Sequence, residues 1–383
     1  MLGFSSSASA EAKESLIVEK KIFELETFQT FAGKTIKQIK LGWESYGELN
    51  ADKSNAILIT HYFTGNSHAA GKYNESDTTA GYWDHLIGPG KAIDTNQYFV
   101  LSMDTLANVA INDPHVITTG PATINPDTGK PYGLSFPVVT IRDFVNLQKA
   151  LIEQLGIKKL HAVVGPSMGS MQAIDWAAAY PNMVERMVSV IGTGHLDAWT
   201  TIGLHQWAVP IKLDPNWNAG DYYGKQAPVE GLVASLKLIT QNALHPDFIN
   251  ETNASYSPLE DAPLNDILAQ HSAVKWIDQR ARSRASLMDA NHILYLVRAC
   301  QLFVAGHDDN LEKGLSKIKA KTLFLPSAGD LLLMPRLAKT SYDVLKAQGK
   351  DTQYAELKGK YGHLDGFFAV SPHAETIREF LAK

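Results

Sequence analysis

The chain has 383 residues, 45% of them hydrophobic, so it is long enough to bury a large core in one elaborated domain or in two. Its 40 acidic and 35 basic residues give a formal net charge of −5 without a basic stripe, which argues against nucleic acid as a partner. No apolar run approaches the ~18 residues of a membrane span, so we expect no membrane partner. The single cysteine, Cys300, excludes an intrachain disulfide and is expected to be a buried structural thiol.

Residues 1–15 predict a flexible N-terminal tail. They lack the charged start and the hydrophobic centre of a secretory leader. This composition favours a cytoplasmic protein, and an exported protein with a removed leader stays open as the alternative.

The first strand patterns follow the tail. Residues 16–49 alternate apolar and polar side chains, which is typical of antiparallel strands with one face in water. The apolar runs 56–60 and 97–102 predict buried strands. The apolar spacing over 140–155 predicts a helix that ends at Gly156.

Three more apolar runs predict central strands, at 162–164, 188–191 and 321–326. Because these strands alternate with helical patterns, the sequence predicts an α/β fold with a mostly parallel central sheet covered by helices.

One long segment breaks this alternation. Residues 195–306 are mostly helical in pattern, with helices predicted over 229–243 and 263–287. No repeat or linker separates the segment from its surroundings. We therefore predict a core formed by residues 16–194 and 307–383, with residues 195–306 inserted as a helical lid.

The sequence Gly165-Pro-Ser167-Met-Gly169 lies between a predicted strand and a helical pattern. It matches the G-x-S-x-G nucleophile elbow, in which flanking glycines let the backbone turn sharply and expose the serine hydroxyl. In that geometry the first amide of the following helix, Met168 N–H, helps to stabilise an oxyanion. Ser167 is therefore the predicted nucleophile.

A serine nucleophile needs a base within hydrogen-bond reach and a third group that orients the base. Asp330 follows an apolar strand and is the predicted acid, with Asp308 and Asp309 as alternatives. His363 follows the last predicted strand in a glycine-flanked loop and is the predicted base. His373 also follows Ser167 and the acid, but it lies in the first turn of a helix.

The second oxyanion donor is expected in the loop after an early strand. His61-Tyr-Phe-Thr-Gly65 has this position, with Phe63 N–H as the donor and Thr64 as a support of the loop or an ordinary turn residue. The chain has no H-E-x-x-H spacing and no phosphate-binding loop, so we expect neither a metal nor a cofactor.

With these residues in hand, the chain resembles the homoserine O-acetyltransferase family of α/β hydrolases over nearly its full length, and especially the esterase-like members. The resemblance rests on several segments: residues 61–65 with His68, 83–90, 98–100, 165–173, 214–217 with 220–222, 289–291 with 294–296, and 361–363. It implies the α/β-hydrolase fold, a triad of Ser167, Asp330 and His363, an acyl-enzyme intermediate, and a homodimer built through the lid.

Two departures from the family pattern concern the acyl acceptor. The transacetylases have an aspartate directly after the triad histidine, where this chain has Leu364 and places Asp365 one residue later. They also have an arginine shortly before the Asp-Pro-Asn-Trp segment, where this chain has Ala208 beside Trp207. In the family these groups hold the amino and carboxylate groups of the acceptor, so the sequence predicts that homoserine binds poorly.

An apolar surface of Leu364 and Trp207 near the nucleophile suits an uncharged ester and leaves water to accept the acyl group. The sequence therefore predicts a hydrolase of small, short-chain carboxylic esters, with Leu364, Trp207 and Thr64 as substrate-binding residues. The alternative is acyl transfer from an acyl-CoA to a small hydroxylated acceptor, as in homoserine O-acetyltransferases. A non-catalytic binding module is the least favoured hypothesis, because packing gives no reason to keep Ser, Asp and His in this order.

Overall fold

The computed structural model describes residues 16–261 and 264–383; the predicted tail, residues 1–15, lies outside the described residues. An eight-stranded sheet forms the centre of the fold. In chain order its strands are β1 (Lys21–Gln29), β2 (Thr35–Tyr46), β3 (Ala56–Ile59), β4 (Phe99–Met103), β5 (Ala162–Pro166), β6 (Arg186–Val190), β7 (Lys321–Leu325) and β8 (Thr352–Tyr354).

Across the sheet the strands lie in the order β1-β2-β4-β3-β5-β6-β7-β8. The pairs β1–β2 and β2–β4 are antiparallel, and all the other neighbours are parallel. The alternating pattern at the start of the chain forms β1 and β2, and the turn between them contains Gly33 at a φ of +77°. The predicted mostly parallel α/β sheet is confirmed.

Strand β3 illustrates why the central strands are apolar on both faces. Ala56 and Leu58 pack into the hydrophobic cluster on one face of the sheet, whereas Ile57 and Ile59 pack into the cluster on the other face. A strand covered by helices on both sides has no wet face, so its sequence reads as an apolar run. Strand β3 lies near the centre of the sheet, and the loop of residues 61–65 follows its carboxyl end.

Helices cover the sheet. In chain order the α-helices are α1 (Ile141–Gln154), α2 (Met168–Ala179), α3 (Ala198–Leu213), α4 (Val229–Ala243), α5 (Pro246–Thr252), α6 (Ser272–Ala285), α7 (Ala290–Gln301), α8 (Leu311–Ser316), α9 (Pro335–Ala347), α10 (Asp365–Phe368) and α11 (Ala374–Ala382). Among the residues that the structure describes, no helix has the length and hydropathy that crossing a bilayer requires.

Helices α3 to α7 all lie within the segment that the sequence predicts as a lid. Helix α3 packs against α4 and α7, and α4 packs against α6 and the turn that carries His363. The predicted helix over 229–243 coincides with α4. That residues 195–306 act as a lid stays a prediction.

The helix predicted over 263–287 is shorter than expected. Its first residue, Pro263, lies outside the described residues, and α6 begins only at Ser272. The apolar side chains before α6 point into solvent, with Leu264 86% and Ile267 98% exposed. A helical period yields a stable helix only where its apolar face is covered, so this stretch forms turns instead.

Candidate active site

Ser167 lies at the sharp turn between β5 and α2. Its φ is 57° and its ψ is −122°, a conformation that residues with a side chain rarely adopt. The Ser167 amide donates a hydrogen bond to the carbonyl oxygen of Val190 (2.9 Å), which ties the turn to β6. The strained turn holds the hydroxyl at the carboxyl end of the sheet.

The two glycines of the motif have a different role from the one expected. Gly165 and Gly169 are not among the residues with positive φ. A Cβ at Gly165 would overlap the side-chain oxygen of Thr60, and a Cβ at Gly169 would overlap the carbonyl oxygen of Thr60. The serine therefore carries the unusual backbone conformation, and the glycines make room for the end of β3.

The structure brings Ser167, His363 and Asp330 together in one hydrogen-bonded chain. His363 Nε2 lies 2.7 Å from Ser167 Oγ, and His363 Nδ1 lies 2.6 Å from Asp330 Oδ2. The second oxygen of Asp330 accepts from the amides of Leu332 (2.8 Å) and Leu333 (3.0 Å). With Asp330 accepting from Nδ1–H, Nε2 is free to accept the serine proton.

The alternative acids do not reach this chain of hydrogen bonds. Asp308 forms ion pairs with Lys313 and Lys317, and Asp309 pairs with Lys313. Ser167, Asp330 and His363 are 8%, 2% and 5% exposed, so the chain is shielded from bulk water. Shielding strengthens the hydrogen bonds between these groups.

The loop that carries His363 is fixed by a second buried carboxylate. Asp365 accepts hydrogen bonds from Ser327 Oγ (2.7 Å) and from the Tyr361 amide (3.0 Å). Gly359 is a glycine because a Cβ there would overlap the Asp365 carboxylate. Asp365 therefore holds the loop in shape and does not line the cavity next to Ser167.

Phe63 and Met168, the predicted oxyanion donors, line the same cavity as Ser167. Neither amide donates a hydrogen bond to another protein group within the described part of the chain. Two free amide donors beside a serine hydroxyl are suited to a developing negative charge on oxygen.

Buried polar groups that the sequence patterns did not predict hold the loop of Phe63 in place. His61 Nε2 accepts from the Thr105 amide (3.1 Å), so its Nδ1 donates to the Tyr62 carbonyl (2.8 Å). Burial lowers the pKa of His61, which favours this neutral form. Gln172 Nε2 donates to the His61 carbonyl (3.1 Å), linking the loop to α2. Gln172 is one of only three polar side chains on the mainly apolar α2, and this is the one sequence signal that pointed to it.

Glu44 is a fully buried carboxylate behind this loop. It forms an ion pair with Lys20 (2.6 Å), and it accepts from Tyr73 (2.6 Å) and His68 (3.0 Å). Burial alone would raise the pKa of Glu44, but the hydrogen bonds and the Lys20 charge together lower it to about 2. Lys20 also donates to Ser67 Oγ (2.5 Å), so the network reaches the loop.

The cavity next to Ser167 has a volume of about 380 Å³. All three residues predicted to bind substrate line it: Thr64, Trp207 and Leu364. The Trp207 ring packs edge-on against Phe63 with centroids 5.5 Å apart, and its Nε1 donates to Asn242 Oδ1 (2.8 Å). A cavity of this size accommodates a small molecule.

Cys300 also lines the cavity and is buried. Burial raises the pKa of its thiol to about 12, so the thiol is protonated at neutral pH. A protonated thiol is a poor nucleophile, which agrees with the expected structural role.

The charges around the cavity differ from the expectation. Arg280 and Arg284, both on α6, line it, so Ala208 in the family's arginine position does not leave the cavity without a cation. No Asp or Glu is among the described lining residues. The family pattern around the Asp-Pro-Asn-Trp segment does not predict these arginines, because they lie on a helix more distant along the chain. No cluster of His, Cys, Asp and Glu suited to a metal ion occurs within the described ranges.

Comparisons with known proteins place this geometry in a family. A model for the alpha/beta hydrolase fold matches residues 90–263. A homoserine O-acetyltransferase of Methanococcoides burtonii is 38% identical over 92% of this chain and 71% of its own length. The chain belongs to the homoserine O-acetyltransferase family.

Solved structures of this family's fold superpose closely on the chain. The homoserine O-acetyltransferase from Bacillus anthracis is 41% identical, with a TM-score of 0.92 over 96% of this chain and 98% of that chain. Esterase E22 is 64% identical, with a TM-score of 0.94 over 95% of this chain and all of that chain. The protein is an enzyme of the α/β-hydrolase superfamily, as the sequence predicted. Its similarity to E22 agrees with the predicted likeness to esterase-like members.

Proposed function

We propose that this enzyme hydrolyses small carboxylic esters through an acyl-enzyme on Ser167. Ser167 Oγ attacks the ester carbonyl while His363 Nε2 takes the hydroxyl proton and then gives it to the leaving alcohol. Asp330 orients His363 and stabilises its protonated form. The amides of Phe63 and Met168 stabilise the oxyanion, each by ~3 kcal/mol. A water molecule activated by His363 then releases the acid.

The observation that carries hydrolysis over acyl transfer is the charge of the cavity. An amino-acid acceptor brings an ammonium group, and no carboxylate is among the described lining residues. Leu364 follows His363, and Asp365 is engaged with Ser327 and Tyr361. An ammonium group buried without a partner costs several kcal/mol, so water is the favoured acceptor. The likeness to a solved esterase supports the same conclusion.

Acyl transfer from an acyl-CoA to homoserine is the second candidate. The curated relatives named homoserine O-acetyltransferase favour it, and so do the two arginines in the cavity, which suit the carboxylate of an acceptor.

The test compares two reactions. The enzyme is incubated with 4-nitrophenyl acetate, and separately with acetyl-CoA and homoserine, while the release of nitrophenol or of free thiol is followed. We expect nitrophenol release that Ser167→Ala abolishes, and slow thiol release that homoserine does not accelerate. Fast, homoserine-dependent thiol release would establish the second candidate instead. Turnover of neither substrate above the level of Ser167→Ala would indicate a binding module.

A further inference from the structure

Arg284 differs from the half-buried Arg142 and the buried Arg186 in having no acidic partner. It is half-buried on α6 and lines the cavity next to Ser167. Its Nη1 donates to Thr240 Oγ1 (3.2 Å), and it forms no ion pair with any described residue. Arg142, by contrast, is held by both oxygens of Asp175 at 2.6 and 3.0 Å.

The hydrogen bond to Thr240 orients the Arg284 side chain and occupies only one of its N–H donors. Thr240 Oγ1 donates its own proton to the Leu236 carbonyl (2.7 Å), so it is fixed as an acceptor for the arginine. A guanidinium has five N–H donors in a planar fork that matches a carboxylate. One acceptor therefore leaves most of the fork available to a ligand in the cavity.

The surroundings of Arg284 make a charged guanidinium without an anionic partner unfavourable. Burial lowers the pKa of Arg284, and the neighbouring charge of Arg280 lowers it further, while Tyr62 opposes them. Both cations line one cavity, and none of the described lining residues is acidic. An anionic group on the substrate would satisfy the donors and the charge together.

We propose that Arg284 binds a free carboxylate on the substrate, so that the preferred substrates are esters that carry a second, unesterified carboxylate. The proposal rests on the ester hydrolysis proposed above. An ester of this kind needs a cation in the cavity and no anion, which is the charge pattern observed. It needs no ammonium partner, unlike an amino-acid acceptor.

The test uses pairs of esters that differ only in the charged group. One pair is mono-4-nitrophenyl glutarate with 4-nitrophenyl pentanoate, and the other is 4-acetoxybenzoate with its methyl ester. We expect kcat/KM to favour the anionic member of at least one pair. Arg284→Gln should lower that preference about 10- to 100-fold, mostly through KM, because the carboxylate is bound equally before and during the reaction.

Two further variants separate the role of Arg284 from a general effect of charge or folding. Arg282→Gln removes a cation from the same helix, where it is exposed and paired with Glu230 and Asp278, and it should leave the preference unchanged. Arg284→Lys keeps the charge without the planar fork and should restore the preference only in part.

Three outcomes would overturn the proposal. The first is equal kcat/KM within both pairs while the neutral esters are still cleaved in a Ser167-dependent way, which would leave the proposed hydrolysis standing. The second is an equal loss of preference in Arg282→Gln. The third is a raised KM of Arg284→Gln for acetyl-CoA with no change for the anionic esters, which would assign the arginine to the phosphates of an acyl-CoA.

Discussion

The two walls of the cavity are built in opposite ways. The core wall consists of Phe63, Thr64, Ser167, Met168, His363 and Leu364, which follow the sheet strands, and the helical wall is formed by lining residues of α3, α4, α6 and α7. On the core wall Ser167 and His363 are engaged in hydrogen bonds within the protein. On the helical wall most side chains are apolar, and Arg284 has a single hydrogen bond to the protein. Under the proposed function, the core wall carries out the chemistry and the helical wall selects the substrate.

The sharpest test of this contrast is Asp330→Asn. The asparagine oxygen can still accept from the Leu332 and Leu333 amides, while its NH₂ group faces His363 and favours the wrong tautomer. We expect kcat to fall on the order of 10⁴-fold for neutral and anionic esters alike, with little change in the melting temperature. Asp343→Asn, which removes an exposed carboxylate paired with Lys339, is the control. A loss confined to one class of ester would contradict the division between the walls.

A glycine-to-alanine substitution should lower the free energy of unfolding on the core wall and raise it on the helical wall. In Gly169→Ala the new Cβ overlaps the Thr60 carbonyl, and we expect the free energy of unfolding to fall by about 3 kcal/mol. In Gly203→Ala, on α3, the Cβ meets nothing within 4 Å, and the gain in helix propensity should raise stability by ~0.5–1 kcal/mol. Urea unfolding measures the free energy of unfolding of both variants. Equal changes in the two would contradict the difference in packing between the walls.

Carboxylates behind the two walls should also differ in their contribution to stability. The folded pKa of Glu44 is about 2, below the unfolded value of 4.5. Its stabilisation is therefore fully present above pH 4.5 and lost as the pH falls towards 2. We expect Glu44→Gln to cost about 2–3 kcal/mol at pH 7, with the difference from the parent shrinking below pH 4.5.

The control is Glu230→Gln, which breaks the exposed pair with Arg282 and should cost less than ~1 kcal/mol. Unfolding in urea at pH 7 and pH 3 makes the comparison. If the free energy of unfolding of Glu44→Gln differs from that of the parent by the same amount at both pH values, the lowered pKa of Glu44 does not contribute to stability.

The smallest expected effect comes from Leu364→Asp, at the edge of the core wall. It places an unpaired carboxylate in an apolar part of the cavity, so hydrolysis of neutral esters should fall about tenfold. Transfer of the acyl group to amino-acid acceptors should rise, because the new carboxylate can pair with an ammonium group. The ratio of the two activities is measured, with Leu364→Asn as the uncharged control. If the ratio of transfer to hydrolysis is the same as in the parent, Leu364 does not determine whether water or an amino acid accepts the acyl group.

Local patterns were enough to predict the sheet and the residues next to Ser167. The apolar run of β3 and the glycine spacing around Ser167 are local patterns, each visible within a few consecutive residues. Asp330 and His363 followed from a topological rule, since parallel strands bring their carboxyl ends to one edge of the sheet. The structure brings these side chains within hydrogen-bonding distance.

Features that depend on tertiary packing could not be predicted in this way. Arg284 faces the cavity only because α6 folds over the core, and its helical pattern does not reveal which side chains have partners. Residues 264–271 have helical spacing, but nothing covers their apolar side chains. Glu44 lies in an alternating strand, where its burial depends on Lys20 and His68 from other segments.

The hydrogen bonds at the end of β3 have a mechanical consequence. Thr60 Oγ1 donates to the Gly169 carbonyl (2.7 Å), and Gln172 joins the loop of Phe63 to α2. Strands β3 and β5, which lead into these two segments, are direct neighbours in the middle of the sheet. The two proposed oxyanion amides are therefore anchored to central strands, where local opening costs the most free energy, so we expect their spacing to persist on heating until the sheet itself melts.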